Sequence, residues 1–201
     1  MGFISPVPDF PEKLGIVAVE ASAFGIYSIP GWFYAWGTTY VVGAGTIYYI
    51  PIFVARTTTY TGIATDVVTA AGAGSVARMG IYQCAAGNPA GLVLDAGTVA
   101  CDSTGNKEIS ITQTLNRGWY FLAIVTNDSS PTLRAMDSTY SVSAPLGAYG
   151  TSIGAGGPTT RLALMVGSRL TDAANGLVTP APAPAASIQL GSLPLVWLKD
   201  V

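Results

Sequence analysis

The chain has 201 residues, a formal net charge of −2, only 10% charged residues and no histidine. The missing histidine removes the commonest general base and the commonest transition-metal ligand, and the absence of Lys/Arg runs argues against a nucleic-acid partner. Because an average domain carries about 25% charged residues, the low charge predicts burial of surface against other copies or partners.

The uncharged stretch between Glu20 and Arg56 raises the question of a membrane segment. Its longest apolar block, 47–55, is interrupted by Pro51 and is far shorter than the ~20 residues of a spanning helix. No basic region leads into an apolar one near the N-terminus, so no signal peptide is predicted. We therefore expect synthesis in the cytoplasm of the cell that produces the chain, and no membrane insertion.

Residues 1–45 are predicted to form an N-terminal arm with an aromatic-rich segment. Prolines at positions 6, 8 and 11 favour an extended chain. The segment GWFYAWGTTY that follows supplies Trp32, Tyr34 and Trp36. These side chains could form a stacking platform for sugar rings, or they could fill the core and a subunit interface, which we favour.

Residues 46–178 are predicted to form a β domain. KEISITQTL alternates, with Ile109, Ile111 and Leu115 facing inward. WYFLAIV suits a central strand buried on both faces, with Trp119 in the core. Roughly nine or ten short strands joined by Gly-rich turns predict an all-β, jelly-roll-like β-sandwich.

The final segment, 179–201, is predicted to contain a Pro/Ala-rich polyproline-II spacer at 179–186 and one or two strands. The loops expected to face outward are Ala85–Gly91, Asp102–Asn106 and Tyr140–Pro158. The last of these is long, and Tyr140 and Tyr149 would give it rigid contact residues. It could contact a ligand or a neighbouring subunit, or pack on its own domain.

Candidate chemical groups are few. Cys84 and Cys101 are expected to be free thiols, with a disulfide as the minor alternative, and without histidine they cannot form a structural zinc site alone. Asp66 and Asp95 could serve a glycosidase, but their positions within or beside strands favour structural roles. We expect no enzyme activity, no catalytic residue, no cofactor and no metal.

Residues from about Ile47 to Met136 resemble a module of fibre-like and minor structural proteins of tailed bacteriophages. The resemblance is carried by IYYIPIFVARTTTYTGIATDVVTAAGAGSVARMGIYQ, then NPAGLVLDAGTV, then STGNKEISITQTLNRGWYFLAIV. In that family a strand ending in G-I-Y precedes V-L-D-A-G-T-V and L-x-x-G-x-Y-W-L-A strands. Here Tyr120 and Phe121 stand where Tyr–Trp is usual.

The resemblance implies a jelly-roll-like fold and a place on the virion, and it brings no catalytic residues. One interpretation is a surface fibre or receptor-binding module that contacts host envelope glycans. A second is a capsid decoration protein, and a weaker third is a free carbohydrate-binding module. The expected partners are other virion proteins, host surface polysaccharide and further copies of the chain, with a trimer as the expected state.

Overall fold

The computed structural model describes residues 27–28, 36–136, 153–154, 157–158, 165–167, 176–181, 184–188 and 193–200. Within these ranges the chain is all-β, with fifteen strands and no helix. Accordingly, no helix in the described residues is long and apolar enough to cross a bilayer. The strands are β1 (Tyr27–Ser28), β2 (Trp36–Val41), β3 (Ile47–Val54), β4 (Thr58–Thr69), β5 (Val76–Ala85), β6 (Asn88–Ala100), β7 (Gly105–Leu115), β8 (Gly118–Thr126), β9 (Thr132–Met136), β10 (Ile153–Gly154), β11 (Gly157–Pro158), β12 (Met165–Gly167), β13 (Pro184–Ile188), β14 (Leu193–Pro194) and β15 (Trp197–Asp200).

Two antiparallel sheets contain nearly all of these strands, in the manner of a β-sandwich. Sheet A holds β1, β2, β4, β7, β9, β14 and β15, and sheet B has the order β13-β12-β3-β8-β5-β6. β10 and β11 form a separate two-stranded sheet. Within the two main sheets, eight strands form a nested series, in which β5 pairs with β6, β4 with β7, β3 with β8 and β2 with β9. Successive pairs of this series therefore lie alternately in sheet B and sheet A.

The core lies between the sheets and is built by alternation along the strands. On β8, Leu122 and Ile124 point into the core, while Phe121, Ala123 and Val125 belong to a second cluster on the outer face of sheet B. The prediction that this strand is central and buried on both faces is therefore confirmed. The inward alternation predicted for β7 is also confirmed, since its isoleucines and Leu115 belong to or pack against the core.

Segment 193–200 lies where sheet A divides. β14 pairs with β9, whereas β15 pairs with β4, so the chain passes from one strand to the other. At the crossing the buried Thr65 hydroxyl donates a 2.9 Å hydrogen bond to the carbonyl of Leu195. This bond satisfies a carbonyl group that has left one strand before it joins the next.

Two predicted features differ in the structure. The loop expected at Ala85–Gly91 is a two-residue turn between β5 and β6, because Ala86 and Gly87 both have positive φ, as a tight hairpin turn requires. The segment 179–186, expected to be a polyproline spacer, is packed in its described part. Residues 179–181 lie along β6, and Pro184–Ile188 is a strand paired with β12.

Both cysteines are free thiols, which confirms the favoured interpretation. Burial raises the pKa of Cys84 and of Cys101 above the ordinary thiol value. Because the thiolate is the nucleophilic form, both residues are weak nucleophiles at neutral pH.

Candidate functional site

Of the five aromatic residues expected to make contacts, four lie outside the described residues: Trp32, Tyr34, Tyr140 and Tyr149. The fifth, Trp36, begins β2 and pairs through its backbone with Met136 of β9. Segment Tyr140–Pro158 is described only at the short pair β10 and β11. A contact role for these residues therefore stays a prediction.

The described chain presents another aromatic pair, Phe53 and Trp119, at one end of the outer face of sheet B. The two residues lie opposite each other in the register of β3 and β8, with ring centroids 5.1 Å apart. Both side chains are only half-buried. The expectation that Trp119 is a core residue is wrong, because the odd-numbered residues of β8 face outward and Trp119 is next to the strand's first residue.

Two turns adjoin this pair, and each carries an exposed arginine, Arg56 in turn 55–57 and Arg117 in turn 116–117. The turns are joined by a hydrogen bond of 3.3 Å from Thr57 Oγ1 to Asn116 Oδ1. Guanidinium groups suit carboxylate and phosphate ligands, and aromatic rings offer a large apolar surface with low conformational freedom. We call Phe53, Trp119, Arg56 and Arg117 the aromatic end.

Asp200 lies near the aromatic end and tempers its positive charge. Burial raises the pKa of this carboxyl, although the charge of Arg56 acts in the opposite direction. Its Oδ1 atom is buried and has no hydrogen-bond partner among the described residues. Asp200 and Arg56 therefore lie close enough for their charges to interact.

The carboxylates considered for glycoside hydrolysis do not face each other. Asp66 lies on the outer face of sheet A and accepts a hydrogen bond of 3.1 Å from Arg134 Nε. Asp95 lies on the outer face of sheet B and binds Arg78 Nε at 2.8 Å and 3.0 Å. Because packed sheets are about 10 Å apart, side chains on their opposite outer faces cannot flank one glycosidic bond.

No local sequence pattern groups the residues of the aromatic end, because they are distributed over two strands and two turns. Phe53 and Trp119 are 66 positions apart in the numbering, and only the β3–β8 register brings them together. A usable signal was present in the Arg117–Gly118–Trp119 run, where a turn residue immediately precedes an apolar strand. Residues at such a strand end are only partly covered by neighbouring strands.

No group of three or more potential metal ligands occurs in the described part of the chain. The aromatic rings and the two arginines of the aromatic end suit stacking and the recognition of anionic groups. No protein-family model, no curated protein and no solved structure matches this chain.

Proposed function

We propose that this chain is a structural protein of a tailed-phage virion, a surface fibre or receptor-binding-type module that contacts host envelope glycans. The observation that carries the proposal is the nested pairing of the eight consecutive strands from β2 through β9. All but the first of these strands fall within Ile47–Met136, the stretch that resembles phage fibre-like proteins. The fold and the resemblance thus meet on the same residues.

The proposed architecture is a jelly roll. One long antiparallel hairpin, with β2–β5 as one arm and β6–β9 as the other, would give the pairing described above when it is wrapped so that successive pairs enter alternate sheets. Two sheets of four strands each, β7-β4-β9-β2 and β6-β5-β8-β3, then enclose the core. Jelly rolls of eight strands are common in viral structural proteins and in lectins.

The low charge supports an assembled state, which we propose to be a homotrimer. Only 10% of residues are charged, and three of the described carboxylates, Asp66, Asp95 and Glu108, are paired with cations within the chain. Few charges therefore remain to solvate the surface. Light scattering of the purified chain should give three times the chain mass, and a concentration-independent monomer would contradict the trimer.

The aromatic end is the described surface best suited to a glycan, because Trp119 and Phe53 can pack against the C–H face of a sugar while Arg117 binds an acidic substituent. Arg117→Ala should weaken binding to the isolated host polysaccharide at least several-fold. The matched control is Thr112→Ala, an exposed position on β7 of sheet A. Equal binding by both variants would remove the aromatic end from the proposed contact.

Immunogold labelling of purified particles tests the placement. Labels on the tail or on projecting fibres support the receptor-binding role. Labels spread regularly over the head would replace it by the alternative, a decoration protein that cements capsid subunits. Binding to polysaccharide without any label on particles would favour a free carbohydrate-binding module.

A further inference from the structure

Strand β6 is a long apolar edge strand. It spans thirteen residues, Asn88–Ala100, and is the last strand of sheet B in the part of the chain that the structure describes. Asp95 is its only charged residue. An uncovered edge of this kind presents a row of backbone N–H and C=O groups that can pair with another strand.

Residues Gly176–Ala181, which we call the strap, run along the β6 edge. The Ala181 amide donates to the Ala90 carbonyl at 2.7 Å, and the Leu92 amide donates to Thr179 Oγ1 at 3.3 Å. The order of contacts is antiparallel to β6, as in a paired strand. Because a side-chain oxygen replaces a backbone carbonyl at Thr179, the strap occupies the edge without forming a regular ladder.

Asp95 extends this contact from the β6 side. Its Oδ2 atom accepts a hydrogen bond of 3.1 Å from the Leu177 amide, and its Oδ1 atom accepts one from the Gly97 amide, also of 3.1 Å. The Leu177 side chain then lies over Gly80, where a Cβ atom would overlap it. Leu177 and Ala181 also pack against the cluster on the outer face of sheet B. Asp95 thus supplies the charged part of a contact that otherwise consists of a few hydrogen bonds and of apolar packing.

The charged and titratable groups that face Asp95 in the described residues both lie on β5. Arg78 forms the ion pair. Tyr82, whose pKa is raised by burial and by the charge of Asp95, donates through its hydroxyl to the Val178 carbonyl at 2.9 Å. The strap itself contributes backbone groups and the Thr179 hydroxyl. Asp95 is therefore the only carboxylate among the described contacts that hold the strap.

We propose that the strap is a displaceable cover of the β6 edge, held by Asp95, and that its release lets the β6 edges of two copies of this chain pair antiparallel. We choose a second copy as the partner because two identical strand edges, related by a two-fold axis, run antiparallel and match each other's backbone donors and acceptors. Asp95 is the only charged residue of β6, and it is paired with Arg78. Two β6 strands would therefore repel each other little. This inference does not depend on the proposed virion role.

The first test is Asp95→Asn, with Asp66→Asn as the matched control that removes a paired carboxylate from sheet A. In Asp95→Asn, hydrogen exchange at the amides of Leu92, Leu177 and Ala181 should be at least tenfold faster at neutral pH, while core strands keep their protection. The average mass in light scattering should rise with concentration toward twice that of wild type. The control should show neither change, and unchanged exchange and mass in Asp95→Asn would overturn the proposal.

A second variant distinguishes edge pairing from unspecific aggregation. Ala90→Pro, added to Asp95→Asn, removes the N–H of a residue whose carbonyl faces the strap. The exchange at the strap should stay fast, but the mass should return to the wild-type value. A mass increase that persists undiminished in the double variant would show that the association does not use the β6 edge, and would refute the proposal.

Discussion

The phenol of Tyr49 allows a sharp test of the packing on the outer face of sheet B. This side chain is fully buried, and its hydroxyl has no hydrogen-bond partner in the part of the chain that the structure describes. Its ring is packed edge-to-face against Tyr82 at 5.4 Å and against Phe121 at 6.4 Å. The ring therefore stabilises the cluster, whereas burial of the hydroxyl without a hydrogen-bond partner destabilises the folded state.

Tyr49→Phe removes the unpartnered hydroxyl and keeps the packed ring. A buried polar group without a partner costs about 1–3 kcal/mol, and phenylalanine keeps both ring contacts. We expect the free energy of unfolding to rise by about 1 kcal/mol, the low end of that range. For a chain of this length the corresponding rise in Tm is about 2–4 °C.

Tyr82→Phe is the matched control, because it removes a hydroxyl that donates a 2.9 Å hydrogen bond to Val178. Loss of a bond of this kind lowers the free energy of unfolding by about 0.5–1.5 kcal/mol. Urea unfolding followed by tryptophan fluorescence measures both variants. If Tyr49→Phe destabilises the chain as much as Tyr82→Phe does, the Tyr49 hydroxyl has a partner and the reasoning is refuted.

Three further predictions concern single residues. Thr65→Val should lower the free energy of unfolding by about 1–3 kcal/mol, because the buried Leu195 carbonyl loses its donor; retention of wild-type stability in urea would contradict this. Gly80→Ala should cost about 1–3 kcal/mol by overpacking, since its Cβ would lie 2.5 Å from a backbone oxygen of β6, while Gly72→Ala, with no atom within 4 Å, should change little; equal urea midpoints would show that the contact is absent. Burial alone would raise the pKa of Asp95, but its hydrogen bonds hold that pKa below the ordinary value. The stabilisation by Asp95 is therefore present above about pH 4 and is lost as pH falls through the folded pKa. Asp95→Asn should make the free energy of unfolding in urea fall less steeply from pH 6 downward, and an unchanged dependence on pH would refute the role of this carboxylate.

Local patterns in the sequence predict several strands well. The alternation in β7 and the apolar run of β8 are legible because each reflects which face of one strand is buried. Pro51 also follows a local rule, since proline in a sheet favours an edge position and β3 beyond Tyr49 has only β8 as a partner among the described strands. These features depend on residues close together in the chain.

Long-range contacts could not be predicted in the same way. The Leu177 contact with Gly80 joins residues from distant strands and segments, and nothing near either residue indicates the other. The outward direction of Trp119 depends on the parity of β8, which a continuous apolar run does not reveal. The same reason hides the aromatic end, because its rings are brought together by strand register and its arginines by two separate turns.

The proposed place of this chain on a phage particle is tested by quantitative mass spectrometry of particles purified by density gradient from cultures that produce it. We expect the chain to band with the particles at a fixed ratio to the major capsid protein, in multiples of three copies per particle. Recovery of the chain only in the soluble fractions, with none in the particle band, would contradict the proposed virion role.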